Sequence, residues 1–251
     1  MLFLGKKANI TPMQEYTVDD FLGGMVRLKQ PKKGLRGTSD SVLLAGAVCP
    51  KSGESVLDVG CGTGVVALCI GAGRDDLDLA GVEIQPELVG LARENAALNN
   101  QSMRVINADI TRSVYELKGA LFHHVVSNPP FYNEDPKRAN ESQEMAFKEV
   151  VSIKTWIDFC LKHVRHLGTF TMIHRPESLP EILPILSKKC GGITVIPIWP
   201  KPNAEPKRVI IRAVLGSKKP FKLHAGLLLH NSDGTRTQAA EDVMRRGVKI
   251  G

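Results

Sequence analysis

The spacing of apolar and polar positions changes along the chain, and the changes outline its elements. Short apolar runs bounded by Gly, Pro, Asn or Asp predict strands over 55–59, 79–83, 103–107, 122–127 and 169–174. Apolar residues recurring at three and four predict helices over 65–71, 86–99, 153–167 and 177–187. In the second helix Leu88, Leu91, Ala92, Asn95 and Leu98 share one stripe behind a proline at the first helical position. Gly168 supplies a stop for the third. Strands alternating with helices call for a parallel sheet covered on both faces. Residues 194–199 and 209–214 break the alternation: they read as strands with no helix between them, hence an antiparallel hairpin at the sheet edge. A last amphipathic helix falls near 237–246.

The start of the chain reads differently. Residues 1–25 predict a loose lead and a short helix capped by Thr17 ahead of Val18, Asp19 and Asp20. Residues 30–34 read as a turn. Ser39 or Asp40 then caps an apolar helix over 41–48 that Pro50 stops. The expectation is an α/β fold with a seven-stranded, mostly parallel sheet, in one domain spanning 1–251 whose first 50 residues form an extension.

Composition narrows the classes. At 43% hydrophobic but 5% aromatic, the core must be built from Val, Ile and Leu. No apolar run approaches the ~18 residues of a membrane span, and Met1–Leu4 is too short for a signal segment and is followed, not preceded, by Lys6 and Lys7. A cytoplasmic protein is expected. Five cysteines without a CxxC pair argue against a disulfide framework or a structural zinc site. Cys160, His163 and His166 stand three apart on an expected helix, where each step turns by roughly 60° and spreads them away from a single ion. The net charge of +7 divides into +3 for residues 1–50, −6 for 51–150 and +10 for 151–251. Basic flanks around an acidic middle suit a polyanion held from the sides.

Two loops carry candidate chemistry. Asp58-Val59-Gly60-Cys61-Gly62-Thr63-Gly64 turns a strand tightly into a helix, with glycines that let the backbone approach a ligand. Val65 stands where a dinucleotide fingerprint wants its third glycine, so the spacing leans away from NAD. Glu83 and Asp109 follow at the next two strand ends, suited to accept hydrogen bonds from ribose hydroxyls and an adenine amine. Asn128-Pro129-Pro130-Phe131 follows the 122–127 strand. Its prolines fix a side-chain amide and a backbone carbonyl, and the aromatic can lie on a planar group carrying an NH2, whether adenine or a glutamine amide. Accepting both N–H bonds of such an amine favours a pyramidal, more nucleophilic nitrogen, and stacking on Phe131 orients it.

On these residues the chain resembles the class I methyltransferases that use S-adenosylmethionine (AdoMet). With Phe21-Leu22-Gly23-Gly24, Gln30-Pro31, Gly34-Leu35-Arg36, Asp40-Ser41-Val42-Leu43-Leu44-Ala45, Gly81 to Glu87, Leu229-His230 and Asp233-Gly234, it is similar to the bacterial tRNA1(Val) (adenine(37)-N6)-methyltransferase family. The resemblance implies AdoMet as cofactor and an anticodon-loop adenine of tRNA as substrate. It implies that residues 36–45 cover the cofactor pocket. The implied cofactor set is Asp40, Asp58, Gly60, Cys61, Gly62, Gly64, Glu83, Ile84, Ala108, Asp109 and Asn128, with Asn128, Pro129, Pro130 and Phe131 at the reacting amine. Leu35, Phe131 and Arg236 depart from the family pattern, and the first and last leave the exact RNA open. The segment 188–222 holds nine Lys or Arg against Glu205 alone and is expected to track RNA phosphates.

Rival readings stay in play. A glutamine N5-methyltransferase uses the same Asn-Pro-Pro grip but calls for a helical substrate domain before the glycine loop. A DNA adenine methyltransferase calls for a target-recognition domain. An idle AdoMet-binding RNA factor and an NAD-dependent oxidoreductase complete the alternatives.

Overall fold

The computed structural model describes residues 15–130 and 151–250. It opens not with a helix but with an antiparallel hairpin, β1 (Tyr16–Phe21) and β2 (Val26–Pro31). The acidic pair at 19–20 misleads as a helix start, because Leu22, Gly23 and Gly24 all take positive φ (49°, 64° and 95°) and reverse the chain. Gln30 and Pro31 thus belong to a strand rather than a turn. Helix α1 (Ser39–Gly46) begins two residues earlier than expected, because Thr38 and not Ser39 or Asp40 is the cap: its side chain accepts from Asp40 N–H.

From there strands and helices alternate: β3 (Ser55–Val59), α2 (Val65–Ile70), β4 (Asp78–Glu83), α3 (Pro86–Leu98), β5 (Met103–Asn107) and β6 (Phe122–Ser127). After residue 150 come α4 (Ile153–Lys162), β7 (Val164–His174), α5 (Leu179–Ser187), β8 (Cys190–Trp199) and β9 (Arg208–Leu215). Two-residue strands β10 (Lys222–Leu223) and β11 (Leu227–Leu228) precede α6 (Gln238–Arg246). The expected seven strands run in the order β8-β9-β7-β6-β3-β4-β5. Pairing is parallel from β7 to β5 and antiparallel on both sides of β9. The hairpin is not the bare edge: β10 and β11 add parallel pairs along β8.

The third helix ends at Lys162, five residues short of the expected stop. Phe122 N–H donates to His163 O (2.8 Å), and pairing with β6 draws the following residues into β7. His163 and His166 therefore lie beyond the helix that carries Cys160.

Both faces of the sheet are covered, and the strand period of two decides which side chain goes where. Val56, Val126, Ile173 and Ile210 pack with α1, α2 and Val243 of α6. Their neighbours Leu57, Val125, Met172 and Ile211 pack with Ile157 of α4 and with Ile182 and Leu186 of α5. No helix among the described residues is long and apolar enough to cross a membrane.

The hairpin is fastened by side chains in place of a third strand. Asn95 of α3, fully buried, accepts from Lys29 N–H (2.7 Å) and donates to Lys29 O (3.0 Å) and Thr63 O (2.9 Å). Asn99 repeats the pattern one turn on, with Arg27 N–H (2.8 Å) and Arg27 O (2.7 Å).

Candidate active site

The carboxyl ends of β3, β4, β5 and β6 converge on one cleft of about 270 Å³. Its floor is the glycine loop after β3. Gly60 and Cys61 N–H both donate to Val82 O (2.8 and 3.0 Å), which stitches the loop to β4. Gly60, Gly62 and Gly64 take φ of 74°, 55° and 87°, in the region side chains avoid. A Cβ on Gly60 would come within 2.9 Å of the Trp156 ring, whereas one on Gly62 would meet nothing within 4 Å. Gly60 is thus needed for close packing, and Gly62 leaves open space.

Glu83 lines the cleft and is buried. Gly62 N–H donates to its Oε2 (3.0 Å) and Gln85 N–H to its Oε1 (2.9 Å). Burial pushes its pKa up, and these backbone donors oppose the rise. Gln85 Nε2 also approaches Oε1 at 3.5 Å, at the limit for a hydrogen bond, so Oε2 is the oxygen that keeps a lone pair for a hydroxyl. Asp109 also lines the cleft. Its Oδ1 accepts from Thr111 N–H (2.8 Å) and Oγ1–H (2.7 Å), and those bonds hold its pKa below the usual range.

Asp58 is placed elsewhere. It is buried, does not line the cleft, and has no hydrogen-bond partner of ordinary geometry for either oxygen among the described residues. Burial pushes its pKa up to about 7; the Ala67 N–H opposes this, and the Glu83 charge adds to it.

Asn128 and Pro130 line the cleft from the end of β6, while Pro129 is buried and Phe131 lies outside the described residues. Asn128 Nδ2 donates to Ser41 Oγ at 3.5 Å, at the limit for a hydrogen bond. The residue before it is more tightly held: Trp156 Nε1–H donates to Ser127 Oγ (2.7 Å), whose own hydroxyl donates to Val59 O (2.8 Å). That relay ties β3, β6 and α4 together beneath the two loops.

Leu35, Arg36, Gly37 and Ser41 close the cleft from the N-terminal side. Arg36 anchors this segment to the hairpin, donating to Asp19 Oδ2 (2.6 Å), Thr17 Oγ1 (3.1 Å) and Pro31 O (2.7 Å). Gly37 N–H donates to Gln30 Oε1 (2.6 Å).

Of the residues expected at the site, Gly60, Cys61, Gly62, Glu83, Ile84, Ala108, Asp109, Asn128 and Pro130 come together in the cleft. Gly64 instead begins α2. Asp40 does not line the cleft: its Oδ2 accepts from Arg208 Nε (2.6 Å), an ion pair between α1 and β9. Trp156, Ser127 and Thr111 were not singled out, and Ser41 only as part of the 36–45 segment expected to cover the pocket. Only the position of Ser127, directly before the Asn-Pro-Pro motif, hinted at one of them.

A second cleft lies on the same side of the sheet, between the end of β7, the β8–β9 loop and residues 230–234. Arg175, Lys201, Lys207 and Arg208 line it together with Glu177, Glu205 and Asp233.

Comparison with known proteins agrees with this geometry. Residues 38–153, which carry both loops, match the family described as "Methyltransferase small domain". The chain is 25% identical to a tRNA1(Val) (adenine(37)-N6)-methyltransferase of a Flavobacteriaceae bacterium (strain 3519-10), covering 73% of this chain and 79% of that one. With the protein of the same name from Haemophilus influenzae (strain PittGG) identity is 21%, over 90% and 95% of the two chains. Release factor glutamine methyltransferase of Escherichia coli (strain K12) is 37% identical, but over 35% of this chain and 31% of that protein. Among solved structures, a predicted O-methyltransferase from Agrobacterium tumefaciens superposes with a TM-score of 0.69 at 23% identity, over 84% and 98% of the chains, and so shares the fold. Fold, loops and relatives converge: the chain is an S-adenosylmethionine-dependent methyltransferase of class I fold, with residues 38–153 matching the methyltransferase small domain.

Proposed function

We propose that this enzyme methylates the exocyclic N6 amine of adenine in tRNA, and that adenine 37 of a valine tRNA is the target. The observation that carries the reading is that Asn128, just past the end of β6, lines the same cleft as Glu83 and the glycine loop. Its amide nitrogen faces Ser41, which leaves Oδ1 to accept from a substrate amine. The extent of similarity to tRNA adenine methyltransferases, up to 90% of the chain, favours adenine over a glutamine amide.

In this reading AdoMet, when bound, supplies an electrophilic methyl group. Glu83 holds the ribose hydroxyls, Asp109 receives the adenine amine through Oδ2, and the Gly60–Gly62 backbone admits the methionine end. Asp58 orders the loop from beneath. Asn128 Oδ1 and the Pro129 carbonyl accept the two N–H bonds of the target amine, drawing its lone pair out of the ring, and Phe131 stacks on the base. No strong base is needed, because the amine proton becomes acidic once nitrogen carries the methyl. Residues 1–50 act as an extension over the cofactor pocket, of which 35–37 and Ser41 are the lining part. Lysines of the basic segment 188–222 contact the RNA.

The test is methyl transfer from isotope-labelled AdoMet to tRNA of cells lacking this gene, followed by nucleoside analysis. Label in N6-methyladenosine that disappears in Asn128→Ala supports the reading. Label in a release-factor glutamine or in DNA, with none in tRNA, overturns it.

A further inference from the structure

The cations of the 188–222 segment do not share one surface. The ten residues of β8, rising about 3.3 Å each, put Lys189 about 30 Å from Lys201. Lys201, Lys207 and Arg208 stand at the catalytic end, in a cleft whose charges nearly balance. Arg175, Lys201, Lys207 and Arg208 face Glu177, Glu205 and Asp233 there, and Arg208 is held by Asp40 as well. Such a cleft offers little net attraction to phosphate.

The opposite end is different. Gly216 N–H donates to Lys189 O (2.9 Å) and Gly192 N–H to Lys219 O (2.7 Å), so the start of β8 and the chain beyond β9 meet. Lys188, Lys189, Lys218, Lys219 and Lys222 are exposed there, and Arg165 is exposed on the adjoining β7. Among the described residues Asp158 pairs with this group, and it holds Lys154 (2.6 Å) as well as Lys189 (3.4 Å). Lys188 follows the carboxyl end of α5, where a cation is favoured whatever its use. Lys218, Lys219 and Lys222 follow a strand and have no such reason. Phe221 and Leu223 lie among them 56% and 68% exposed. Lysines interleaved with an exposed aromatic suit a nucleic-acid strand, where phosphates and the flat faces of bases alternate.

We propose that this lower patch, on the far side of the sheet from the catalytic cleft, grips the phosphodiester backbone of the tRNA away from the modified loop. It rests on the reading of tRNA as substrate. An RNA no larger than the target stem–loop fills the catalytic side alone, while a full tRNA reaches both ends. Recognition of the folded molecule is thereby separated from recognition of the target base.

The test reverses Lys218, Lys219 and Lys222 to Glu, with a Lys→Gln set as a second variant in case charge reversal disturbs folding. Filter binding and methyl transfer are measured with full-length tRNA and with its excised anticodon stem–loop, across a salt series. The reversed protein should bind full-length tRNA at least about tenfold more weakly, with a salt slope lower by roughly two to three, since each lost phosphate contact removes about 0.7–0.9. Binding of the stem–loop and of AdoMet should not change. An equal loss on both RNAs, or none on either, overturns the proposal. So does a loss confined to anionic lipid vesicles, which would make the patch a membrane contact. Wild-type protein that methylates no RNA refutes the substrate reading, while filter binding still reports on the patch.

Discussion

Asn95 is the side chain on which hairpin, glycine loop and helix α3 all depend. Asn95→Ala removes three hydrogen bonds at once: to Lys29 N–H, Lys29 O and Thr63 O. The Thr63 carbonyl bond is fully buried, so its loss carries a desolvation cost of about 1–3 kcal/mol, and each Lys29 bond adds about 0.5–1.5. The sum is about 2–6 kcal/mol, which for a chain of this length lowers Tm by roughly 4–24 °C. Asn99→Ala is the internal control. It breaks an equivalent pair with Arg27 where water reaches the strand, together with a bond from Nδ2 to Asn95 O (2.7 Å), so about 1–1.5 kcal/mol is expected. Urea unfolding followed by circular dichroism compares the two, and calorimetry gives AdoMet affinity. Asn95→Ala should also weaken AdoMet binding, because Thr63 sits in the loop; Asn99→Ala should not. Equal destabilisation by the two variants, or an Asn95→Ala effect below about 0.5 kcal/mol, would refute the assignment of Asn95 as a buried surrogate strand partner.

Three further outcomes follow from the site. The folded state keeps the Asp58 proton to about pH 7 while the unfolded chain releases it near 3.8, so the stability Asp58 contributes is full below that value and is lost as pH climbs toward 7. Asp58→Asn should therefore gain on the wild type by roughly 2–4 kcal/mol between pH 4 and 8 in urea titrations; parallel pH profiles would contradict this. Gly60→Ala should destabilise more than Gly62→Ala: both bear the left-handed strain of about 1–2 kcal/mol, but Gly60 adds a 2.9 Å approach to Trp156, and equal losses in thermal melts would count against that packing. Ser127→Ala leaves the buried Trp156 N–H and Val59 carbonyl without their partner and should cost about 2–3 kcal/mol, with a shift in Trp156 emission; emission unchanged from wild type would argue that the relay does not form.

Where the pattern of the chain was dense, sequence and structure agree closely. Strands 103–107 and 122–127 fall on the residues read for them in the sequence. The hairpin at 16–31 was not legible, because its turn depends on three successive positive φ values and its pairing edge on asparagines some seventy residues away. The early end of α4 was hidden for a similar reason: pairing to β6, not local propensity, decides where the helix gives way. Within the site, the glycine loop, Glu83, Asp109 and Asn128 were readable, since each closes a strand and the topology sends parallel strand ends to one side.

By itself the sequence determined the alternation of strands and helices from residue 55 to 187 and the loop chemistry, because periodicity and turn residues act over a few positions. Tertiary structure alone decided what faces what. It turned Asp40 from the cofactor toward Arg208, buried Asp58 below the loop, and placed Trp156 against Gly60. It also split one basic segment between two ends of the sheet. Charge counted along a chain says nothing of direction in space; a strand about 30 Å long converts neighbours in sequence into opposite faces of the molecule.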